Sequence, residues 1–275
     1  MRRFLATCAA LAALAVPGAA QDNSASNLTA LMTAYEAQGW EGVGRLNIGR
    51  GGMCTGAMIS PRLVLTAAHC LYDQYSGQQV DAQSIQFLAG WRNGRASAYR
   101  HVRRAVTHPK YEYTGPGGEL RVANDVALLE LDSEIRLANV QPFKTAARPR
   151  KGARVGVVSY AHDRSETLSL QEVCHVLARQ RGTLVLSCEV DFGSSGAPIF
   201  AEVDGEPRIV SVVSAKAVVQ GRKVSLGTNL VKPLEELMAL MAASDGVFVR
   251  STTNAKRVTI TGSGGSGGGA KFLKP

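Results

Sequence analysis

From about Glu41 onward the apolar residues fall in short runs, many of them alternating with polar positions, with glycine or proline between runs: VGRLNI, TGAMIS, LVLTAA, SIQFLAGW, RRAVTH, VALLEL, RVGVVSY, TLVLSCEV and PRIVSVVSA. Regularly spaced runs of this length predict β-strands joined by turns, and hence an all-β barrel or sandwich. Two stretches follow the helical period instead. In NLTALMTAYEAQGW, residues Leu28, Leu31, Met32 and Tyr35 stand at i, i+3, i+4 and i+7, which predicts an amphipathic helix within an N-terminal segment 21–40, either a pro-segment or a helix packed on the domain. VKPLEELMALMAAS predicts a terminal helix over about 232–243, with Pro233 tolerated in its first turn. The basic, proline-containing KTAARPRKGAR at 144–154 interrupts the strand pattern and is a candidate link between two halves. Residues 244–275 include a Gly/Ser-rich flexible stretch, and the terminal AKFLKP is a candidate docking segment.

A chain of 275 residues that is 45% hydrophobic can bury a substantial core, as one large all-β domain or as two subdomains. Its first twenty residues form a separate unit: Arg2 and Arg3, then an apolar run ending in small residues before Gln21. That order is the signature of a secretory signal peptide, cleaved after Ala20. The run is too short for a bilayer span, and no other stretch approaches the required length. The expected location is therefore secreted or periplasmic, with no transmembrane segment.

Five cysteines become four once Cys8 leaves with the signal. In an oxidising compartment Cys54, Cys70, Cys174 and Cys188 read as two disulfides. Three connectivities are open. The local pairing, Cys54–Cys70 with Cys174–Cys188, is favoured, each bond closing a short loop worth roughly 3 kcal/mol in the chain-entropy model. The absence of a C-x-x-C spacing and the scatter of the histidines weigh against a zinc site. The formal charge of +9 falls to +7 when Arg2 and Arg3 are lost. Such a surplus favours association with an anionic surface; spread along the chain, it reads mainly as a solvated exterior.

Three positions carry candidate chemistry. His69 ends the apolar run MISPRLVLTAAHC, where a lone histidine is usually a structural ring. Asp125 stands at the mouth of the apolar strand in NDVALLEL, where an aspartate often caps a turn. Ser195 lies in DFGSSGAPIF, a glycine-flanked turn able to expose a hydroxyl and aim successive N–H groups into one concavity. Acyl transfer needs a hydroxyl, a base, a carboxylate to orient the base, and N–H donors for an oxyanion. Together the three positions can supply that set.

In this order TAAHC, NDVALL and GSSGAP resemble the trypsin-like, or chymotrypsin-fold, serine peptidase family, whose triad runs His, Asp, Ser along the chain. The resemblance covers roughly residues 41–243 and includes THPKY ahead of the aspartate. It implies two antiparallel six-stranded β-barrels, about 41–143 and 153–231, with a C-terminal helix and the site between the barrels. It further implies His69, Asp125 and Ser195 as the triad, the N–H groups of Gly193 and Ser195 as the oxyanion hole, and Cys54–Cys70 as the disulfide flanking the histidine. Ser211 matches the strand serine that supports the aspartate and lines the substrate channel. The implied protein is a monomeric endopeptidase acting on proteins or peptides, with no metal, no organic cofactor and no specific nucleic-acid partner.

The sequence departs from the animal digestive members at Ser194, where those carry the aspartate that pairs with a new N-terminus. It resembles instead bacterial members lacking that aspartate, so activation is expected to need signal removal alone or trimming within 21–40. Six residues before the nucleophile stands Glu189, with Asp191 close by. A carboxylate there implies preference for arginine or lysine before the scissile bond, while Val212 and Val213 narrow the entrance and make small apolar residues the rival. A catalytically idle peptidase fold that binds an anionic partner is the alternative class.

Overall fold

Leu46 and Ile48 in VGRLNI are buried on the inner face while Arg45, before them, and Asn47, between them, are only partly buried, which is how an alternating run becomes a wall of a closed sheet. The computed structural model describes residues 28–113 and 119–243. The expected signal peptide, the start of the N-terminal segment and the Gly-rich tail lie outside the described residues.

Six strands close the first barrel: β2 (Val43–Ile48), β3 (Gly52–Met58), β4 (Leu63–Thr66), β5 (Ile85–Ala89), β6 (Ala98–Thr107) and β7 (Ala127–Leu131), in the spatial order β2-β3-β4-β7-β6-β5. Closure leaves no unpaired sheet edge. Leu46, Ile85, Phe87, Leu129 and Leu131 fill the interior. β7 reads ALLEL and is buried throughout, including Glu130, whose carboxylate is met by Arg104 at 3.0 Å and Arg103 at 2.5 Å. A carboxylate this deep requires such partners.

The second group holds β1 (Thr29–Ala30), β8 (Arg154–Ala161), β9 (Arg164–Gln180), β10 (Thr183–Leu186), β11 (Pro198–Val203), β12 (Glu206–Val219) and β13 (Arg222–Asn229). Their order is β1-β9-β10-β13-β12-β11-β8, and β8 also pairs with β9, so six strands make a ring and β1 joins it as a seventh. The added strand accounts for a departure from the expected N-terminal helix. Thr29 and Ala30 pair with Leu170 and Ser169, and Leu31 N–H donates to Leu168 O. The backbone that would have opened the helix is thus bonded to β9. Only one turn follows, held by the Thr33 and Glu36 side chains and ended at Gly39; Met32 and Tyr35 are exposed.

Between the two groups lies a shared core of Val43, Leu65 and Leu128 from the first and Val158, Tyr160, Phe200 and Val212 from the second. Each such buried side chain contributes about 1.5–3 kcal/mol. The terminal helix α2 (Val231–Ala243) adds Leu237 and Met241 to it. Arg104 Nη2 donates to Met241 O at 2.7 Å, placing a cation on the helix's negative end. Disulfides join Cys54 to Cys70 and Cys174 to Cys188.

Candidate active site

β4 ends at Thr66, and the chain turns through a 3₁₀ segment, Ala68–Leu71. Ala67, Ala68, Cys70 and Leu71 are buried, and the Cys54–Cys70 bond ties the turn to β3. Within this fixed turn His69 alone keeps a partly exposed side chain, at 23%.

Asp125 lies between a short helix, α1 (Glu119–Ala123), and β7, and is 2% exposed. It grips His69 twice: Oδ1 accepts the His69 backbone N–H at 2.8 Å, and Oδ2 lies 2.7 Å from Nδ1. A carboxylate so placed holds the proton on Nδ1 and leaves Nε2 as the basic nitrogen. Ser214 Oγ, from β12, donates to the same Oδ2 at 2.5 Å. The aspartate is therefore satisfied by three donors from both sheet systems. Behind it, Thr228 Oγ1 donates to Asp125 O at 3.1 Å and to Val122 O at 2.6 Å.

The Ser195 turn is pressed onto the barrel that carries His69. Thr55 N–H donates to Ser195 O at 2.9 Å, and Thr55 O accepts Thr66 Oγ1 at 2.9 Å. Gly196 has φ +75°, and a Cβ there would lie 2.1 Å from Thr66 Oγ1 and 2.8 Å from Ala67 N. Only glycine lets the backbone approach this closely. Gly193 is also left-handed, at φ +94°, and its carbonyl accepts Thr55 Oγ1 at 2.9 Å. Among the described residues neither Gly193 N–H nor Ser195 N–H has an internal acceptor, while Ser194 N–H and Gly196 N–H on either side are bonded to Asp191 O and Val213 O. No hydrogen bond joins Ser195 Oγ to His69 among the described residues; such bonds are often long before substrate arrives.

Beside this turn opens a cavity of about 680 Å³, walled by residues 187–191 on one side and by Lys216, Ala217 and Val218 on the other. Lys216 Nζ reaches Asp191 Oδ1 at 2.8 Å and lies 4.1 Å over the Phe192 ring. The Lys216 ammonium, followed by the Phe192 N–H, holds the Asp191 carboxyl below its usual range.

A family model described as Trypsin matches residues 32–229, most of the chain. The chain belongs to the trypsin family. Among curated relatives, a trypsin of Phaedon cochleariae is 38% identical over 93 residues, 33% of this chain and 32% of that protein. A glutamyl endopeptidase of Bacillus licheniformis is 25% identical over 189 residues, 66% of this chain and 57% of that protein. The alignments span about a third of the length of the first of these trypsin relatives. A solved structure titled as a Glu endopeptidase in complex with MPD superposes with a TM-score of 0.66 at 18% identity, covering 80% of this chain and 99% of that one, which establishes the shared fold.

Within this trypsin-family frame the remaining sequence expectations separate. Ser211 does not touch the aspartate: its Oγ donates to Thr228 O at 2.8 Å. The serine on Asp125 is Ser214, and the reason is a bulge. Val213 pairs with Gly227 and Ala215 with Leu226, so Ser214 is the extra residue, re-aimed out of the ladder. Val213 contributes through its backbone, which bonds Gly196 N–H and Ala197 O, while its side chain is buried in the second core. Glu189 lines the cavity, its N–H donating to Gln171 Oε1 at 2.8 Å. Ser194 is fully buried; its Oγ donates to Tyr160 O at 3.3 Å and accepts Asp191 N–H at 3.3 Å. A neutral hydroxyl thus holds the turn that a charged pair holds in the animal digestive members. Sequence reasoning missed Ser214, Thr228 and Lys216. No periodicity marks a bulge, and Lys216 gains meaning only from the opposite wall. The Cys54, His69 and Cys70 atoms lie within 4.8 Å of one another, but the two sulfurs are joined, which leaves no thiolate for a metal.

Proposed function

We propose that the protein is an exported serine endopeptidase that cleaves peptide bonds through His69, Asp125 and Ser195. The observation that carries this is the buried Asp125 carboxylate, which fixes His69 through both its ring and its backbone beside a glycine-flanked serine. Ser195 Oγ attacks the substrate carbonyl carbon while His69 Nε2 takes its proton. Asp125 steadies the resulting imidazolium. The oxyanion is received by Gly193 N–H and Ser195 N–H, each such donor being worth about 2.7–4 kcal/mol. Collapse of the tetrahedral intermediate breaks the C–N bond, and His69 returns the proton to the leaving amine. Water, deprotonated by the same nitrogen, then frees the acyl group and restores Ser195.

The buried Ser194 hydrogen bonds support a turn that is held without a charged new N-terminus, so signal removal, or trimming within 21–40, suffices for activation. Two disulfides fit export to a secreted or periplasmic location, and no helix among the described residues is long and apolar enough to cross a membrane. Glu189 in the cavity supports preference for arginine or lysine before the scissile bond. A second reading is favoured by Lys216 and Lys223 in the same walls and by the name of the Bacillus relative: preference for glutamate. The protein acts as a monomer.

Treatment of the purified full chain with a fluorophosphonate, followed by intact-mass analysis, tests the core of this reading. One label on the wild type and none on Ser195→Ala is the expected result; absence of labelling on folded protein, before and after limited trimming, overturns it. Peptides differing only in the residue before the cut, as Arg, Lys, Ala or Glu, decide specificity. Faster cleavage after Glu than after Arg transfers the selecting role to the lysines.

A further inference from the structure

Residues 141–155 and 173–188 contain seven Lys and Arg and no Asp or Glu, and so supply +7 of the chain's formal +9. In the sequence these stretches are separated; in the fold they meet. Gly152 N–H donates to Val176 O, and Arg154 is the register partner of His175. Arg148 Nη2 donates to Gln180 O at 2.9 Å and to Thr183 O, on either side of the Arg181–Gly182 turn. The loop before β8 therefore runs along the last part of β9 and delivers its cations there. Six residues gather at this end of the second sheet: Arg148, Arg150, Lys151, Arg154, Arg179 and Arg181, with His175 among them.

All of these except Arg148 are exposed. Among the described residues none of the six has a carboxylate within 4.0 Å, whereas Lys144 in the same loop is paired with Glu206. Arg148 is placed most unfavourably. Partial burial, and after it the Arg179 charge, push its guanidinium below its ordinary value, and its buried Nε has no partner among the described residues. Gathering like charges on a rigid sheet end costs free energy that dispersal over the surface would avoid, and an anion laid across them removes that cost. The last part of β9, from residue 175 to residue 180, extends about 17 Å, long enough for several successive anionic groups. Five of the six are arginines, whose planar fork suits sulfate and carboxylate oxygens. Among the described residues the patch holds no Phe, Tyr or Trp, at the six cations or at the exposed Val173 and Leu177 beside them, so nucleobases would have only the His175 ring as an aromatic stacking partner.

We infer that this end of the second sheet is a binding surface for a linear acidic polysaccharide, separate from the Ser195 cleft, which would hold the protein on a sulfated or carboxylated matrix. The surface does not depend on the triad being active.

The test is binding of the full chain to a fluorescent, size-defined heparin oligosaccharide, with neutral dextran and a 20-base-pair DNA duplex in parallel, over a range of salt. Expected are salt-sensitive binding to heparin, none to dextran, and weaker binding to DNA. Arg150→Glu/Lys151→Glu/Arg179→Glu should weaken heparin binding by at least about tenfold, in keeping with several ionic contacts. Arg50→Glu/Lys110→Glu/Lys232→Glu changes net charge equally and should weaken it by no more than about twofold to threefold. Equal losses in the two variants would mean attraction to net charge only and would overturn the proposal, as would DNA binding as tight as heparin binding. Should the first variant fail to fold, protection of wild-type arginines from an arginine-specific glyoxal by heparin gives an independent answer. Protection of Arg150, Arg179 and Arg181 supports the surface; protection elsewhere, or none, overturns it.

Discussion

Ser214 Oγ donates to Asp125 Oδ2 at 2.5 Å, linking positions 89 residues apart on the two sheet systems. This bond fixes the free rotation of the carboxylate that orients His69. A hydrogen bond to a charged group contributes about 1.5–3 kcal/mol, part of which acts on the geometry of the imidazole. Ser214→Ala is therefore expected to lower kcat/KM about tenfold or more, with kcat carrying most of the loss. Ser211→Ala, which removes only the bond to Thr228 O, should leave kcat within about twofold to threefold of wild type while lowering stability by about 1 kcal/mol. Steady-state kinetics beside denaturant unfolding separates the two serines. Equal kinetic losses would mean that the bulge has not divided their roles.

Gly196 offers a steric test of how the Ser195 turn is held. With φ at +75° and only 2.1 Å between an added Cβ and Thr66 Oγ1, the turn has no space for alanine. Gly196→Ala must either flatten the turn or push β4 away, at about 2–4 kcal/mol. Because His69 stands three residues after Thr66, in the buried turn that follows it, activity should fall further than stability alone explains. Folded protein that unfolds at a lower denaturant midpoint and no longer takes the fluorophosphonate is the expected outcome. Normal labelling would show that the turn tolerates the shift.

Much of this is legible in the sequence because it rests on local pattern. The alternating runs, Pro233 in the first turn of α2 and the glycines about Ser195 each state a backbone need that sequence spacing records. The N-terminal helix is misread because Leu28, Leu31, Met32 and Tyr35 satisfy a helical period, whereas the hydrogen bonds of Thr29, Ala30 and Leu31 go to β9. A distant strand's open edge leaves no trace in a local window. Ser211 stands in for Ser214 in the sequence for a similar reason: a single unpaired residue in β12 reverses which side chain meets Asp125, and that bulge is set by pairing with β13. The gathering of cations at the end of β9 is likewise hidden, because no one run contains them.

The cavity mouth yields a test of specificity. Lys216 and Asp191 are each about half exposed, so their ion pair is worth about 0–1 kcal/mol. If a substrate cation is drawn in by Glu189, the Lys216 ammonium opposes it. Lys216→Ala should then raise kcat/KM for Arg and Lys substrates by up to about fivefold, and Glu189→Gln should lower it. A substrate with alanine before the scissile bond should respond to neither. Loss of cleavage after Glu in Lys216→Ala, with no gain after Arg, would identify Lys216 as the attracting group instead.

His108 ties stability to pH through the docking of α2. It is 3% exposed; its Nδ1 accepts Lys110 N–H at 3.3 Å, and its Nε2 lies 3.1 Å from Glu236 Oε2. An accepting Nδ1 carries no proton, so the folded ring is the neutral Nε2–H form donating to Glu236. Burial is the larger influence and lowers its pKa from 6.5; Glu236 raises it and Lys110 lowers it, without reversing the direction. The unfolded chain thus binds a proton at higher pH than the folded one. Below pH about 6.5 protonation favours unfolding, so this contribution to stability is present above that pH and is lost as pH falls toward the folded value. Unfolding midpoints measured from pH 8 to about pH 5 should show a wild-type decline that is shallower in His108→Gln. Glu236→Gln removes the charge that, among the described residues, favours the imidazolium, and should steepen the decline. Parallel curves for wild type and His108→Gln would place the acid sensitivity elsewhere in the fold.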